Sequence, residues 1–311
     1  MTLHVVIPEE SAALPFTVEP SGAQVASKEI PERIHHILAG LLDGGAVAAA
    51  LGADSQARAE RLVGAVHDKE LLDHLRHGVP EGAESVLDSA FSAPGLEQET
   101  PVTRGVWPAA LGAAAAAVRA AELTARDGEN SYALVRPPGH HAGPGWYGGY
   151  CFVNNAVVAA RTLQEEGVAR VGILDVDYHL GNGTLALVQG DPTLPFASVH
   201  SSDPKDFPYT FEPGPGLFGV RSDPAQEDFL ALVADALAHL RREGAAALVV
   251  SVGYDVLAGD PHGSWTLAPE VFGPVAALIA EQRLPTVFVQ EGGYGIPSLR
   301  GAARALALEA S

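Results

Sequence analysis

Four short polar clusters, each closing an apolar run, hold the residues of this chain that can do chemistry: Arg136-Pro-Pro-Gly-His140-His141, Asp175-Val-Asp177-Tyr-His179, Gly253-Tyr-Asp255 and Glu291-Gly-Gly-Tyr294. Side chains alternate faces in an extended strand, so Asp175, Asp177 and His179 are expected to share one side. Carboxylates packed that closely repel unless a cation compensates them. Asp255 follows the separate run 246–252. Asp177, His179 and Asp255 then make three donors with one position open for water or substrate, the arrangement of a catalytic zinc site. Ferrous iron or cobalt suits the same O/N donors. Asp175 is left to orient a histidine or to hold a second, hard cation. The plainer alternative is that this D-x-D-x-H segment caps the next turn through side-chain hydrogen bonds.

Pro137-Pro138-Gly139 forces an extended segment into a tight turn, which sets His140 and His141 on a stiff loop. Histidine titrates closest to neutral pH, so one of the pair can deprotonate water and later protonate a leaving amine. Most of the twelve histidines, such as His35, His36, His74 and His239, read as surface or packing residues. Gly292 and Gly293 permit close backbone approach and leave the Tyr294 phenol able to reach a site, where its O–H would stabilise an oxyanion. A Gly-Gly-Tyr by itself is more often a turn with an aromatic packed over it. The combination points to metal-dependent hydrolysis.

These clusters can meet only if the runs before them are neighbouring strands of one parallel sheet, whose carboxyl edge is where open α/β sheets bind ligands. The regular alternation of strand and helix patterns over 311 residues, 47% of them hydrophobic, predicts one α/β catalytic domain over 1–311 with helices on both faces. A divergent strand and loop occupy 1–30. Pro224 after Asp223 opens a helix that Gly244 closes, and Gly167 closes one beginning near Asn154. The Ala-rich stretch from Ala109 to Ala125 carries Arg119 and Glu122, so it reads as a packed helix and not a membrane span.

A net charge of −19 lacks the basic footprint of nucleic-acid binding. It favours a cationic substrate if acids lie near the mouth of the site; otherwise it serves solubility. The single cysteine, Cys151, excludes an internal disulfide and suits a reducing compartment. The first residues lack the basic and long apolar regions of a signal peptide, which gives a cytoplasmic expectation. The segment from Glu9 to Ser27 is either mobile or folded over the site or a partner subunit.

Taken together, the motifs resemble the histone deacetylase superfamily of metal-dependent amidohydrolases, and within it the bacterial acetylpolyamine amidohydrolases. The resemblance lies in Arg136–Gly143 followed by Gly148-Gly-Tyr-Cys-Phe-Val-Asn-Asn155, in Leu174–His179 with Gly181-Asn-Gly-Thr184, in Gly259-Asp-Pro261 and in Pro285–Tyr294, in register from about Pro31 onward. It implies an arginase/deacetylase-like sheet of about eight strands, with Asp177, His179 and Asp255 as zinc ligands and Tyr294 as the electrophilic phenol. His141 becomes the general base and acid, and His140 an electrostatic partner oriented by Asp175. Asp175 and Ser198 match positions that help bind a structural potassium ion. Tyr150 and Phe207 match the aromatic pair walling the substrate tunnel, with Gly149 and Gly292 also lining it, although both aromatics would serve equally as core residues. Glu97 and Glu99 fall in the loop that borders the entrance.

Three positions depart from the commonest pattern: Asn182 stands where one large branch has aspartate, Leu180 replaces a histidine, and His262 replaces an apolar tunnel residue. A neutral Asn182 should make the His141 imidazolium less favourable, and His262 should make the channel more polar. The resemblance implies hydrolysis of an acetylated primary amine, a small molecule, by a homodimer. A deacetylase of acetyl-lysine proteins or of an N-acyl specialised metabolite is the alternative. Arginase-like ureohydrolases need further Asp/His ligands that are not found in the sequence. A metal-stabilised binding module would be attractive only if Tyr294 or a ligand were missing.

Overall fold

Short apolar runs bounded by turns, rich in β-branched residues in the central strands, form the sheet. The computed structural model describes residues 2–8, 16–18, 23–94, 99–209 and 213–310. Eight strands make one all-parallel sheet: β1 (His4–Val6), β2 (Val47–Ala49), β3 (Ser131–Ala133), β4 (Val171–Asp175), β5 (Phe196–Ser201), β6 (Leu217–Val220), β7 (Ala247–Val252) and β8 (Thr286–Gln290). Their spatial order is β6-β5-β4-β7-β8-β3-β1-β2. The chain runs outward from β4 to β6 and then returns to the other side of β4 as β7. That reversal is a topological switch point, and the crevice beyond it is the default ligand site of such sheets.

Alternation along the strands divides the core. Val171 and Ile173 pack on one face with Ala113, Ala117 and Ala120 of the helix Val106–Asp127 and with Val157 and Ala160 of the helix Asn155–Glu165. Leu174 and Val176 pack on the other with Phe229, Val233 and Leu237 of the helix Gln226–Arg242 and with residues of the helices Pro31–Asp43, Phe272–Ala280 and Ile296–Ala310. Each such Leu, Ile or Val contributes roughly 1.5–3 kcal/mol when fully buried. The alanine face explains why Val106–Asp127 is helical yet not a span: Ala gives high helix propensity and lets the helix lie close on the sheet. Among the described residues no helix is long and apolar enough to cross a membrane.

Two local expectations are corrected. The helix before Gly244 starts at Gln226, not Pro224, because Asp223 is turned away to accept from the Thr266 N–H and Oγ1 at 2.8 and 2.5 Å. Strand β4 stops at Asp175, so strand alternation does not aim Asp177 and His179. The Asn154 cap does form, accepting from the Val157 N–H at 3.0 Å. Part of the stretch from Glu9 to Ser27 forms an antiparallel hairpin, Phe16–Val18 with Gln24–Ala26, tied to the next segment by the Val18 N–H and the Glu99 carbonyl at 2.9 Å.

Candidate active site

The four clusters converge beyond the carboxyl ends of β3, β4, β7 and β8 in a cavity of about 650 Å³. Its lining includes His140, His141, Asp177, His179, Asp255 and Tyr294, together with Tyr150, Phe207, His262, Gly149, Gly292 and Glu99. Glu97 lies outside the described residues.

After β4 the backbone bends because its own carboxylates fold it: Asp175 Oδ1 accepts from the Asp177 N–H at 3.0 Å, and Asp177 Oδ1 accepts from the His179 N–H at 2.9 Å. The capping hydrogen bonds of this motif therefore form, and they leave Asp177 and His179 beside Asp255. His179 Nδ1 lies 3.3 Å from Asp177 Oδ1 and 3.1 Å from Asp255 Oδ2. One donor atom from each of the three residues falls within 4.8 Å of the others. Asp177 Oδ2 also accepts from the Gly292 N–H at 2.9 Å, and Asp255 Oδ1 from the Tyr178 N–H at 3.0 Å. Burial and the neighbouring Asp177 charge push the Asp255 carboxyl up to about 7, against the opposing pull of His179. A Cβ on Gly292 would stand 2.6 Å from Asp255 Oδ2 and 2.7 Å from Asp177 Oδ2, so glycine keeps this volume open. Two carboxylates, one imidazole and open space beside them fit a divalent cation.

The two histidines sit with ring centres 3.9 Å apart and differ in their partners. His140 Nδ1 faces Asp175 Oδ2 at 3.0 Å; His141 Nδ1 faces Asn182 Oδ1 at 2.8 Å. Burial opposes the His140 imidazolium, but the Asp177 and Asp175 charges outweigh it and raise its pKa to about 10. Burial first, and then the charges of His140 and His179, hold His141 well below the usual histidine range. Paired groups with pKa values pushed apart mark distinct proton roles. Asp175 is thus turned to His140 and stands beside Ser198, its register partner on β5.

Tyr150 adopts φ of 67°, a left-handed conformation rare for a bulky residue, directly after Gly149 at φ 56°. This turn brings the Tyr150 phenol to 3.1 Å from His262 Nε2 and its ring to 5.4 Å from that of Tyr294. Phe207 meets the His141 ring edge-on at 4.5 Å. A side chain at Gly149 would collide with His141, its Cβ being 2.5 Å from Cδ2. Glu99 is half-buried against this turn and accepts from the Gly149 N–H. Thr17, Val18, Val25 and Ala26 of the hairpin wall the same cavity, so this part of the N-terminal stretch folds over the site.

Several further residues support the site in ways to which the sequence assigned no role. Buried Arg33 donates from Nε to the Gly293 carbonyl at 2.5 Å and from Nη2 to the Glu291 carbonyl at 2.7 Å. It pairs with Glu29 at 3.0 Å, which in turn pairs with Arg136 at 2.8 Å. Glu291 Oε2 accepts from the Gly139 and His140 N–H groups at 2.7 and 3.0 Å, tying the β8 end to the histidine loop. Asp260 Oδ2 accepts from the Tyr294 and Gly295 N–H groups. His67 accepts from the Asn154 N–H at Nε2, 3.0 Å away, and so donates from Nδ1 to the Gly143 carbonyl at 2.7 Å. Arg136, Glu291 and Asp260 stand within the quoted motifs, whereas Glu29, Arg33 and His67 lie outside them, and the i, i+4 spacing of Glu29 and Arg33 is the one local signal that could have found that pair.

The histone deacetylase domain model matches residues 27–310. An acetylpolyamine amidohydrolase of Mycoplana ramosa is 36% identical over 212 residues, 65% of this chain and 62% of that protein. Acetylpolyamine amidohydrolase 1 of Pseudomonas aeruginosa is 35% identical over 215 residues, 66% of this chain and 62% of its own. The matched stretch spans less than two thirds of the length of these relatives. The crystal structure of an acetylpolyamine aminohydrolase from Burkholderia pseudomallei superposes with a TM-score of 0.84 at 31% identity, over 98% of this chain and 97% of that one. With a domain match over most of its length and a common eight-stranded frame, the chain belongs to the histone deacetylase domain family.

Proposed function

We propose that this protein is a zinc-dependent amidohydrolase that removes the acetyl group of a small acetylated primary amine of the polyamine type. The observation that carries the reading is the meeting, in one cavity, of a three-donor metal set, a histidine pair of split protonation and a phenol. A divalent ion held by Asp177, His179 and Asp255 would supply Lewis acidity to the amide carbonyl and a lower pKa to the attacking water. Ferrous iron or cobalt would satisfy the same donors.

The remaining steps belong to the chain's own side chains. Asn182 Oδ1 only accepts, so His141 carries its proton on Nδ1 and presents the Nε2 lone pair. Nε2 takes a proton from water as the water oxygen bonds to the acetyl carbonyl carbon. The Tyr294 O–H donates to the carbonyl oxygen as negative charge gathers there. When the carbon–nitrogen bond breaks, His141 returns its proton to the departing amine, leaving acetate and the free ammonium. His140 stays protonated against Asp175 and favours negative charge nearby. Tyr150 and Phe207 pack the methylene chain. Burial raises the Glu99 carboxyl, and a distal ammonium on the substrate would favour its ionised form. The names of the relatives support the same substrate class.

Turnover measured side by side on N-acetylputrescine, N-acetylcadaverine, N-acetylspermidine and acetyl-lysine peptides tests the reading. Acetate release from the small amines is expected; release from the peptides alone would transfer the activity to proteins, and release from none would end it.

A further inference from the structure

Phe207, one wall of the tunnel, lies on the loop after β5 and meets the His141 ring edge-on, with ring centres 4.5 Å apart. The segment leading to it, Ser201-Ser-Asp-Pro-Lys-Asp206, is polar, and its Pro204 and Lys205 are exposed. A surface loop of this kind keeps one position when side chains tie it to the scaffold. The tie is Asp206. Its Oδ2 accepts from the Tyr178 phenol and from the Ser201 hydroxyl, each at 2.5 Å. With its own proton committed to Asp206, the Tyr178 phenol oxygen accepts from the Ser264 hydroxyl at 2.8 Å. The main chain closes around the same residue: the Asp206 N–H donates to the Asp203 carbonyl at 2.9 Å, and the Asp206 carbonyl accepts from the Tyr209 N–H at 2.7 Å.

The other end of the tie is Tyr178, which stands between Asp177 and His179. Its N–H donates to Asp255 Oδ1 at 3.0 Å, and its carbonyl accepts from the Ser201 N–H at 2.7 Å. Its ring meets those of His179 and Trp265 edge-on, each at 5.0 Å. One tyrosine therefore belongs both to the segment of metal donors and to the anchorage of the Phe207 loop. We propose that Asp206 is a positioning residue: through Tyr178 and Ser201 it fixes Phe207 against His141, and so sets the width of the tunnel that holds the substrate's methylene chain. This rests on the deacetylase reading above and deepens it by naming what holds one wall of that site. Asp206 also borders the cavity, where a carboxylate could attract a distal ammonium directly. The two roles make different demands, an oxygen acceptor for positioning and a negative charge for attraction.

Asparagine keeps the acceptor and drops the charge, which separates them on the metal-loaded enzyme. Asp206→Ala should lower kcat/KM by about ten- to a hundredfold, the scale of a misplaced contact beside the reacting groups. The factor should be the same on N-acetylcadaverine and on uncharged N-hexylacetamide of equal length. Asp206→Asn should recover both to within about threefold of wild type. Phe207→Ala should cost less in Asp206→Ala than in wild type, because that wall has already moved; a role confined to overall stability would leave the two losses multiplicative. A loss confined to the charged substrate, no recovery in Asp206→Asn, or multiplicative losses overturns the assignment and leaves deacetylation standing. If Asp206→Ala does not fold, Ser201→Ala removes one of the two donors and decides instead: a smaller loss on both substrates is expected, and a wild-type kcat/KM overturns the proposal. Should the wild type turn over no acetylated amine, deacetylation fails by itself. Calorimetric binding of N-hexylacetamide to the same proteins then carries the test, and equal affinity in wild type and Asp206→Ala overturns it.

Discussion

The guanidinium carbon of Arg33 lies 4.4 Å from the centre of the Tyr294 ring, and the same side chain donates to the carbonyl of Gly293, the residue just before that tyrosine. One buried cation thus fixes the phenol through its ring and its backbone. Burial pushes the Tyr294 phenol well up, and Arg33 opposes that shift. Tyr294→Phe should keep metal content and Tm but lower kcat by roughly 10²–10³, the loss typical of one oxyanion donor. Arg33→Lys keeps the charge and loses the planar fork, so kcat should fall by about tenfold or more at unchanged metal content. A wild-type rate in Tyr294→Phe would make the phenol a packing residue.

Metal content gives the second prediction. The purified protein should carry about one catalytic divalent ion per chain, on Asp177, His179 and Asp255. Asp255→Ala should lose ion and turnover together, because two donors hold a cation poorly. Elemental analysis beside the rate assay checks this, and full occupancy with normal turnover in the variant would remove the assignment.

The third concerns Glu291. Burial pushes its carboxyl up from 4.5 to about 7, so in that window the folded chain binds more protons than the unfolded one. Its contribution is favourable at low pH and is lost as pH rises through about 7. Glu291→Gln can still accept from the Gly139 and His140 N–H groups and donate to Ser251 Oγ. It should flatten the decline of Tm between pH 5 and 7 at little cost in activity. Glu291→Ala should release the histidine loop and lower kcat by about tenfold or more. Identical Tm profiles for wild type and the Gln variant would show that the carboxyl does not titrate in this range.

Glu99 supplies the fourth. Glu99→Gln should raise KM for acetylated amines with a distal ammonium more than for a neutral acetylated amine of equal length. The wild-type preference for N-acetylcadaverine over an acetyl-lysine peptide should shrink as salt screens the charge. Equal changes in KM for charged and neutral substrates would place Glu99 outside recognition.

Much of the site was legible because its chemistry lies in residue types at the ends of apolar runs. A parallel sheet brings such ends together whatever the loops between them. The His140-Asp175 and His141-Asn182 partnerships follow from the resemblance, and their separations of 3.0 and 2.8 Å agree with it. The supposed strand through His179 did not, since Asp175 and Asp177 bend the chain by bonding their own backbone, a local competition that periodicity does not register.

What the sequence determined by itself was the donor set, the order of strands and helices, and the small residues that leave room around the carboxylates. What only the tertiary structure decided was which groups are desolvated and which face one another. Arg33 reaches Gly293 across 260 positions and Arg136 reaches Glu29 across 107, distances at which no local pattern survives. The protonation split between His140 and His141 likewise depends on burial and separation. Charge energies vary with distance and with the dielectric around them, and both are set by packing and not by residue type.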